Sequence, residues 1–357
     1  MKLFKIIINV VIIILLTVIV GFGGFLAWAT LTDYKPDAVE TLPLKGKGLP
    51  SAAMSDTISL LTWNIGYAGL GREMDFFYEG GKRVRPSAIE YQRYLNGVLE
   101  SLAQIDHPDF LLLQEVDLTA KRSYYTDEVA RIDSLFDDFS SVYASNYDVG
   151  FVPVPPAEPM GRVLSGLITL SRYHSEDALR IAYPSSYAWP KRLFMLDRCF
   201  LLTRYTLAGL KELVLINTHN SAFNDAAEMR KQELALLQKT MLDEFAKGNY
   251  VIVGGDWNQN PLPFDPAATT DGNKAHRITP PIPADFIPGD WKWAFDPERA
   301  TNRDVNESYQ KGRTGTTIID FFVLSPNLEV LEVKALSRDF VFSDHQAVQL
   351  KVRFSRK

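Results

Sequence analysis

A set of apolar runs in this chain each ends in a side chain able to do acid–base or metal chemistry. Leu60-Leu61-Thr62-Trp63 runs into Asn64, Leu111-Leu112-Leu113-Gln114 into Glu115, and Leu213-Val214-Leu215-Ile216-Asn217-Thr218 into His219-Asn220. Val251-Ile252-Val253-Gly254-Gly255 leads to Asp256-Trp257-Asn258, Thr317-Ile318-Ile319 to Asp320, and Phe340-Val341-Phe342-Ser343 to Asp344-His345. Any single case is ordinary, because Asn, Asp and Gly end strands by making turns. Glu115 is different, since glutamate is not a turn residue. Taken jointly, the pattern places carboxylates, amides and imidazoles at strand ends, where folds build sites on rigid supports. Glu115, Asp344 and the amide oxygen of Asn64 are hard oxygen donors, suited to Mg²⁺ or Mn²⁺ rather than zinc. Such an ion polarises a phosphoryl oxygen and offsets the charge that builds up as phosphorus is attacked. Asp256 is suited to orient or deprotonate a water, and Asn258, two residues on, points to the same side of an extended chain. His345 needs a partner to fix its tautomer, and Asp320 is the candidate. The chain has no G-x-S-x-G elbow, no P-loop and no His-Glu-x-x-His zinc motif. Metal-assisted phosphoester hydrolysis is the chemistry this set implies.

Those residues must be held by the strands that precede them. Strand-like runs are Ile58–Thr62, Phe110–Leu113, Leu167–Leu170, Phe200–Tyr205, Leu213–Asn217, Tyr250–Val253, Thr317–Leu324, Leu328–Val333 and Ala347–Phe354. Helical spacing appears over Pro86–Gln104, with proline in the first turn and Ile89, Leu95, Val98, Leu99 and Leu102 on one side. It appears again over Ala226–Phe245, with Met229, Leu234, Leu237, Met241 and Phe245 spaced along it and Gly248 closing it. No internal repeat or second composition shift is present. The expectation is one α+β domain over residues 57–357, helices packed outside two sheets.

The first 31 residues are of another kind. Lys2 and Lys5 precede an apolar run from Ile6 to about Ala29, long enough to cross a bilayer. With basic residues before the run and no acid, the N-terminus is expected in the cytoplasm and the domain outside the cell membrane. A cleaved signal peptide is the competing reading, because Ala27-Trp28-Ala29 has the form of a cleavage site, and it would make the protein secreted. The run exceeds the usual signal-peptide core, which favours an anchor. Residues 32–56, with several prolines and small or charged residues, are expected to be a tether.

Composition narrows the partners. Across 357 residues, Lys and Arg number 38 against 43 Asp and Glu, a formal charge of −5. That is not the basic balance of a protein gripping nucleic acid mainly by phosphate neutralisation, although it leaves room for a local basic cleft. The single cysteine, Cys199, excludes an internal disulfide framework and a cysteine-based zinc site.

At the residues that carry the chemistry, the sequence resembles the endonuclease/exonuclease/phosphatase superfamily over roughly Ile58 to Phe354. The motifs appear in family order: Thr62-Trp63-Asn64-Ile65, Gln114-Glu115, Ser165-Gly166-Leu167 through Leu170-Ser171-Arg172, Asn217-Thr218-His219, Gly255-Asp256-Trp257-Asn258, Ile319-Asp320 and Ser343-Asp344-His345. The resemblance implies a four-layer α/β sandwich. It also implies Asn64 and Glu115 as ligands of the principal divalent metal, with Asp344 near it. Asp256 would align or activate water, Asn258 would steady the phosphoryl group, and His345, oriented by Asp320, would contact the scissile phosphate. His219 matches the histidine of the deoxyribonuclease and sphingomyelinase branches, where the abasic-site branch has a tyrosine. Two departures, Trp257 for the usual Phe or Leu and Gln346-Ala347 for x-Pro, remove no chemical group.

Substrate is less legible. Gly80-Gly81-Lys82-Arg83-Val84-Arg85, Lys121-Arg122, Arg162 and Lys191-Arg192 are either a phosphate-facing rim or solvated loop charges. Pro153, Pro155, Pro156 and Pro159 stiffen a loop before Arg162, and Trp291 and Trp293 are either a stacking surface or core. The phosphoester is a nucleic acid, a nucleotide or a phospholipid headgroup. The competing classes are a catalytically silent binding module on the same fold and a structural surface protein. Loss of a metal- or water-handling residue would mark the silent module, and none is lost.

Overall fold

The computed structural model describes residues 2–106, 108–184, 186–209, 211–222, 227–265 and 279–355. Period-two alternation in the central strands sets the architecture. In β3 (Thr57–Asn64) and β4 (Phe110–Asp117), Ile58, Leu60, Phe110 and Leu112 face one way and Leu61, Trp63, Leu111 and Leu113 the other. Both faces are apolar, so both must be covered. One face meets a second sheet and the other meets helices, giving the four expected layers.

The first sheet runs in the order β1 (Val39–Thr41), β7 (Asp177–Ala182), β8 (Cys199–Tyr205), β9 (Leu213–His219), β10 (Tyr250–Asp256), β14 (Asp320–Leu324), β11 (Lys292–Ala294). The second runs β15 (Leu328–Ala335), β16 (Val348–Phe354), β3, β4, β6 (Gly161–Ser171), β5 (Ser140–Val152), β2 (Lys45–Gly46). A short ribbon pairs β12 (Asn302–Arg303) with β13 (Thr316–Thr317). Each sheet carries a parallel pair near its middle, β3 with β4 and β9 with β10, among antiparallel neighbours. The expected Thr317–Leu324 strand is split, because Ile318 and Ile319 leave the ladder between β13 and β14.

The inner core joins Ile58, Leu60, Phe110 and Leu112 to Leu213, Leu215, Ile252, Phe322 and Leu324. Helix α2 (Ala88–Gln104) covers the second sheet, and the short α3 (Glu128–Asp133) lies beside it. Its start is set by Ser87 rather than Pro86. The Ser87 hydroxyl accepts from the Glu90 amide, and the Glu90 carboxylate accepts from the Ser87 amide. Ile89 is exposed, and Tyr91 and Tyr94 take the buried stripe with Leu95, Val98 and Leu102. Helix α4 (Ala227–Ala246) covers the first sheet through Leu234, Leu237 and Met241, and Gly248 at φ +90 closes it. Ala226, the expected first residue of that helix, lies outside the described residues. Trp257 is buried in the same layer, stacked on Phe321 at 5.0 Å, with its indole N–H donating to the Phe321 carbonyl.

Helix α1 (Lys2–Leu31) is long and apolar enough to cross a membrane. The segment expected to be a tether lies along the domain instead. Its β1 pairs with β7, its β2 pairs with β5, Leu49 bridges Tyr173, and Ser51 is buried. Edge strands otherwise expose unpaired backbone groups. Leu42 and Leu44 also pack on the cluster formed by Leu167, Ala178 and Leu201.

Arg204 on β8 fixes α4 by placing its two terminal nitrogens 2.8 and 2.7 Å from the two oxygens of Glu244. These hydrogen bonds hold the Glu244 carboxyl down from 4.5 to about 2. A depressed carboxyl contributes stability above its unfolded pKa and loses it as pH falls through the folded one. Glu244→Gln is therefore expected to cost about 1–3 kcal/mol at neutral pH. It should also flatten the loss of melting temperature that the parent shows as pH drops from 4.5 towards 2. Identical acid profiles for the two proteins would refute this role.

Candidate active site

Along the inner face, each central strand changes from apolar to polar as it reaches one end of the sandwich. The stripes read Ile58-Leu60-Thr62-Asn64 on β3, Phe110-Leu112-Gln114 on β4, Leu213-Leu215-Asn217-His219 on β9 and Tyr250-Ile252-Gly254-Asp256 on β10. The first polar layer ties the sheets together. Gln114 donates through Nε2 to Asn217 Oδ1 at 2.8 Å and to Thr62 Oγ1 at 3.1 Å. Asn217 donates back across the gap to the Ile168 and Leu113 carbonyls. Gly254 belongs to the same layer, where a side chain would collide with the Phe322 ring and Leu112.

The next layer is the site. Register sets Asp256 opposite His219 on one side and Asp320 on the other. Asp256 Oδ2 accepts from Asn64 Nδ2 at 3.0 Å and lies 3.5 Å from His219 Nε2 and 3.7 Å from His345 Nε2. Asp256 Oδ1 accepts from the backbone N–H of Asn258, whose amide donates to the Asn220 carbonyl at 2.8 Å. Asp320 lies behind His345, with both oxygens on Nδ1 at 2.8 and 3.1 Å. Ser343 latches the last loop to β3 by donating to the Asn64 carbonyl, and Trp63 donates to the His345 carbonyl.

Glu115 reaches this layer by breaking the alternation. Continued regularly, β4 would send it to the helical side with Leu111 and Leu113. A bulge between Leu113 and Val116, with Glu115 at φ +53, turns it to the inner end instead, 3.3 Å from Asn64 Nδ2. Tyr67 at φ +42 and Asn258 at φ +50 also line the cavity, so left-handed backbone is concentrated around it. Gly66 is left-handed as well, and a side chain there would come 2.8 Å from Asp344 Oδ1.

The cavity has a volume of about 600 Å³ and joins Glu115, His219, Asp256, Asn258, Asp344 and His345. Burial raises the pKa of Glu115, Asp256 and Asp344, with Asp256 adding to the effect on Glu115 and Glu115 to that on Asp344. Burial opposes charge on His345, but Asp320, Asp256 and Asp344 outweigh it and lift its pKa to about 10. His219 moves the other way, lowered by burial and by Arg198, His345 and Arg122. One imidazole is thus held cationic and the other neutral.

A divalent ion fits this donor set. Asp256, Asp320 and His345 offer donor atoms within 4.8 Å of one another. Asp320 and His345 Nδ1 are committed to each other, so the donors facing the cavity are Asp256, Glu115 and Asp344. Crowded, desolvated carboxylates of this kind need a compensating cation to stay ionised together. Asn64 sits among them, but its Nδ2 faces Glu115 and Asp256 and its oxygen accepts from the Gly66 N–H at 2.9 Å. The second lone pair of that oxygen is what it can offer a metal.

All eight residues singled out in the sequence gather at this end of the sandwich. Others carried no such signal. Asn302 places its amide 2.9 Å from His345 Nε2, and a half-turn of an amide suits either protonation state of the ring. Arg122 was grouped with the loop charges, yet it is buried, lines the cavity, pairs with Asp117 at 2.9 Å and stacks 3.6 Å over Tyr67. Most other rim candidates are structural: Arg83 pairs with Glu90, Arg162 with Asp148, and Lys121 donates to the Pro159 carbonyl. Trp291 is buried and Trp293 packs on the same helix-side core, so neither is a stacking platform.

A sequence model of the Endonuclease/Exonuclease/phosphatase family matches residues 61–345. No curated protein sequence matches the chain. Among solved structures, an endonuclease/exonuclease/phosphatase from Beutenbergia cavernae DSM 12333 superposes with a TM-score of 0.53 at 16% identity, covering 84% of this chain and 72% of that one. ANGEL2, described as a 2',3'-cyclic phosphatase, gives 0.53 at 14% identity, covering 90% and 100%. D. rerio TDP2 complexed with single-strand DNA product gives 0.52 at 13% identity, covering 84% and 100%. At such identities the likeness is one of fold.

The inter-sheet layer generates a test. Gln114→Leu removes the donor to Asn217 and Thr62 and leaves a buried acceptor unpaired, which is expected to cost about 1–3 kcal/mol. A double-mutant cycle with Asn217→Leu, read by denaturant unfolding, should show coupling of about 0.5 kcal/mol or more. Strict additivity would mean that the two amides do not act as a unit.

Proposed function

The chain belongs to the endonuclease/exonuclease/phosphatase family, and on that premise we propose that it is a divalent-metal-dependent phosphodiesterase whose working residues surround Asp256. The observation that carries the reading is the position of Asp256 Oδ2, which Asn64, His219 and His345 all approach within 3.0 to 3.7 Å inside one buried cavity. A silent binding module has no use for that convergence of titratable groups.

Glu115 and Asp344 would hold Mg²⁺, or Mn²⁺, with the free lone pair of the Asn64 amide oxygen beside them. The bound ion would polarise a phosphoryl oxygen and neutralise developing charge. Asp256, its basicity raised by burial, is suited to accept a proton from an attacking water. Its Oδ1 is pinned by the Asn258 amide, which leaves Oδ2 for that task. His345, cationic and backed by Asp320, is suited to donate a hydrogen bond to a non-bridging phosphate oxygen. His219, kept neutral, can share the water's proton with Asp256. Asn258 would steady the phosphoryl group through its amide. A phosphoester substrate also agrees with the DNA product bound by TDP2 and the phosphatase description of ANGEL2.

We also read α1 as a retained single-pass anchor, with the folded domain, its edge strands β1 and β2 included, outside the cytoplasm. Lys2 and Lys5 at its start support that orientation. Retention is supported by Ala29, at the candidate cleavage site, being buried against the domain. Intact-mass analysis of the membrane fraction tests this, and a species beginning near residue 30 would establish cleavage.

For the full chain in detergent with bis(4-nitrophenyl) phosphate, turnover is expected to require Mg²⁺ or Mn²⁺ and to stop with EDTA. Asp256→Asn should lower kcat by about 10²–10⁴ with little change in KM. Glu115→Gln should raise the half-saturating metal concentration by at least the roughly 10–100-fold associated with weaker, outer-sphere losses. Metal-independent turnover, or full activity in Asp256→Asn, would refute the assignment.

A further inference from the structure

The last turns of α1 pack behind one wall of the cavity, without lining it. Ile6 to Phe25 covers the span of a bilayer core, about 30 Å at about 1.5 Å per residue. With Ile6 at the near boundary of the hydrocarbon, Phe25 would sit where it gives way to headgroups on the far side. There its ring stacks on Phe194 at 5.7 Å and meets Phe151 edge-on at 6.2 Å. The neighbouring Trp28 lies against Gly150, where an added side chain would come 3.3 Å from its ring. Trp189 donates from its indole N–H to Thr30 Oγ1 at 3.2 Å, and Arg192 pairs with Asp33 at 3.4 Å. No slack follows the helix, because β1 begins at Val39 and is already paired to β7.

Phe194 faces α1 on one side and the cavity wall on the other. It packs in one cluster with Tyr147 and Met160, its carbonyl accepts from the Tyr147 hydroxyl at 3.1 Å, and Tyr147, Met160, Met195 and Leu196 line the cavity. The cavity is accordingly two-sided, with carboxylates and imidazoles on one side and apolar groups on the side nearest the helix. Around the junction, Trp28, Trp189 and Phe151 are exposed at 44, 55 and 37%. Exposed aromatic rings at the end of an apolar span are the signature of an interfacial belt.

We propose that this collar of Phe151, Trp189 and the end of α1 lies in the headgroup layer of the bilayer that α1 spans, and that the cavity takes its phosphoester from that layer, as a phospholipid. The proposal rests on the phosphodiesterase reading for its substrate and on the α1 junction for its geometry. Fixed attachment replaces a search through solution by a high local concentration of lipid. The acyl end of a phospholipid suits the apolar wall, and its phosphate suits the opposite side. A polyanionic nucleic acid fits less well, since Glu79, Asp304, Glu115, Asp256 and Asp344 line the cavity against Arg122, Arg198 and Arg230, Arg122 is already paired with Asp117, and the chain is net acidic.

The test uses the full chain reconstituted in phosphatidylcholine/phosphatidylglycerol vesicles. Cys199 is buried and its thiol is pushed up to about 11, so an introduced cysteine takes the label. Nitroxide at Trp189→Cys or Phe151→Cys should favour collision with oxygen over an aqueous nickel chelate. At Glu332→Cys, on the strand at the opposite edge of the same sheet, the preference should reverse. Equal nickel access at all three positions would overturn the collar. In the same vesicles, Phe25→Ala combined with Trp28→Ala should lower phospholipid hydrolysis by roughly tenfold, the loss of effective concentration, and leave bis(4-nitrophenyl) phosphate turnover unchanged. Unchanged lipid hydrolysis, or equal loss of both activities, would overturn lipid presentation. If the parent hydrolyses neither substrate, the phosphodiesterase reading fails and lipid presentation with it, while the label depths still decide the collar.

Discussion

A β-sandwich that buries a cluster of titratable groups must join two apolar inner faces and still open into a polar site. Here that transition is carried by the hydrogen bond from Gln114 on one sheet to Asn217 on the other. Below it, Leu60, Leu112, Leu215 and Ile252 pack as core. Above it, Asn64, His219, Asp256 and Asp320 stand in a row set by strand register. Buried amides need partners, and Gln114 Nε2 finds them in Asn217, Thr62 and the Leu112 carbonyl, although its Oε1 is buried without one. The bond to Asn217 holds the sheets at one spacing, which fixes the distances in the layer above. The amide pair is therefore the floor on which the site is built.

Two local departures from regular structure complete the site. The bulge in β4 gives Glu115 a direction that alternation forbids, and the left-handed turn at Gly66 leaves room for the Asp344 carboxylate. Both are costs borne by the surrounding order. The electrostatics follow from placement rather than residue type. His345 is ringed by Asp320, Asp256 and Asp344 and is lifted to about 10, whereas His219 is pushed down by burial and by Arg198, His345 and Arg122 nearby. Two histidines of equal intrinsic basicity thereby take opposite charge states a few ångströms from the same carboxylate oxygen.

The attachment of α1 is a second use of the same economy. Residues between the helix and the first long strand form edge strands on both sheets, so helix, wall and cavity share one packed body. A slack connection would have left the helix unplaced relative to the cavity, and the stacking of Phe25 on Phe194 places it.

Side-chain order alone specifies two sheets under helices and the row of polar groups at the strand ends. Period-two alternation and the polar ends of the apolar runs follow directly from side-chain order. Asn64, His219, Asp256 and Asp320 were legible for that reason, as was the apolar length of α1. Other features were decided by contacts between residues distant in the chain. Asn302 meets His345 through a short ribbon of weak pattern, and Arg122 reads as a surface charge until Asp117 and Tyr67 enclose it. Ile89 was misplaced because Tyr91 and Tyr94, amphipathic by type, take the buried stripe in its stead. The edge pairing of residues 39–46 is not legible either, because it depends on an open partner strand, which composition does not encode. Sequence order specifies which face a side chain takes on a regular element. Only tertiary structure decides where regularity is broken and which distant group waits there.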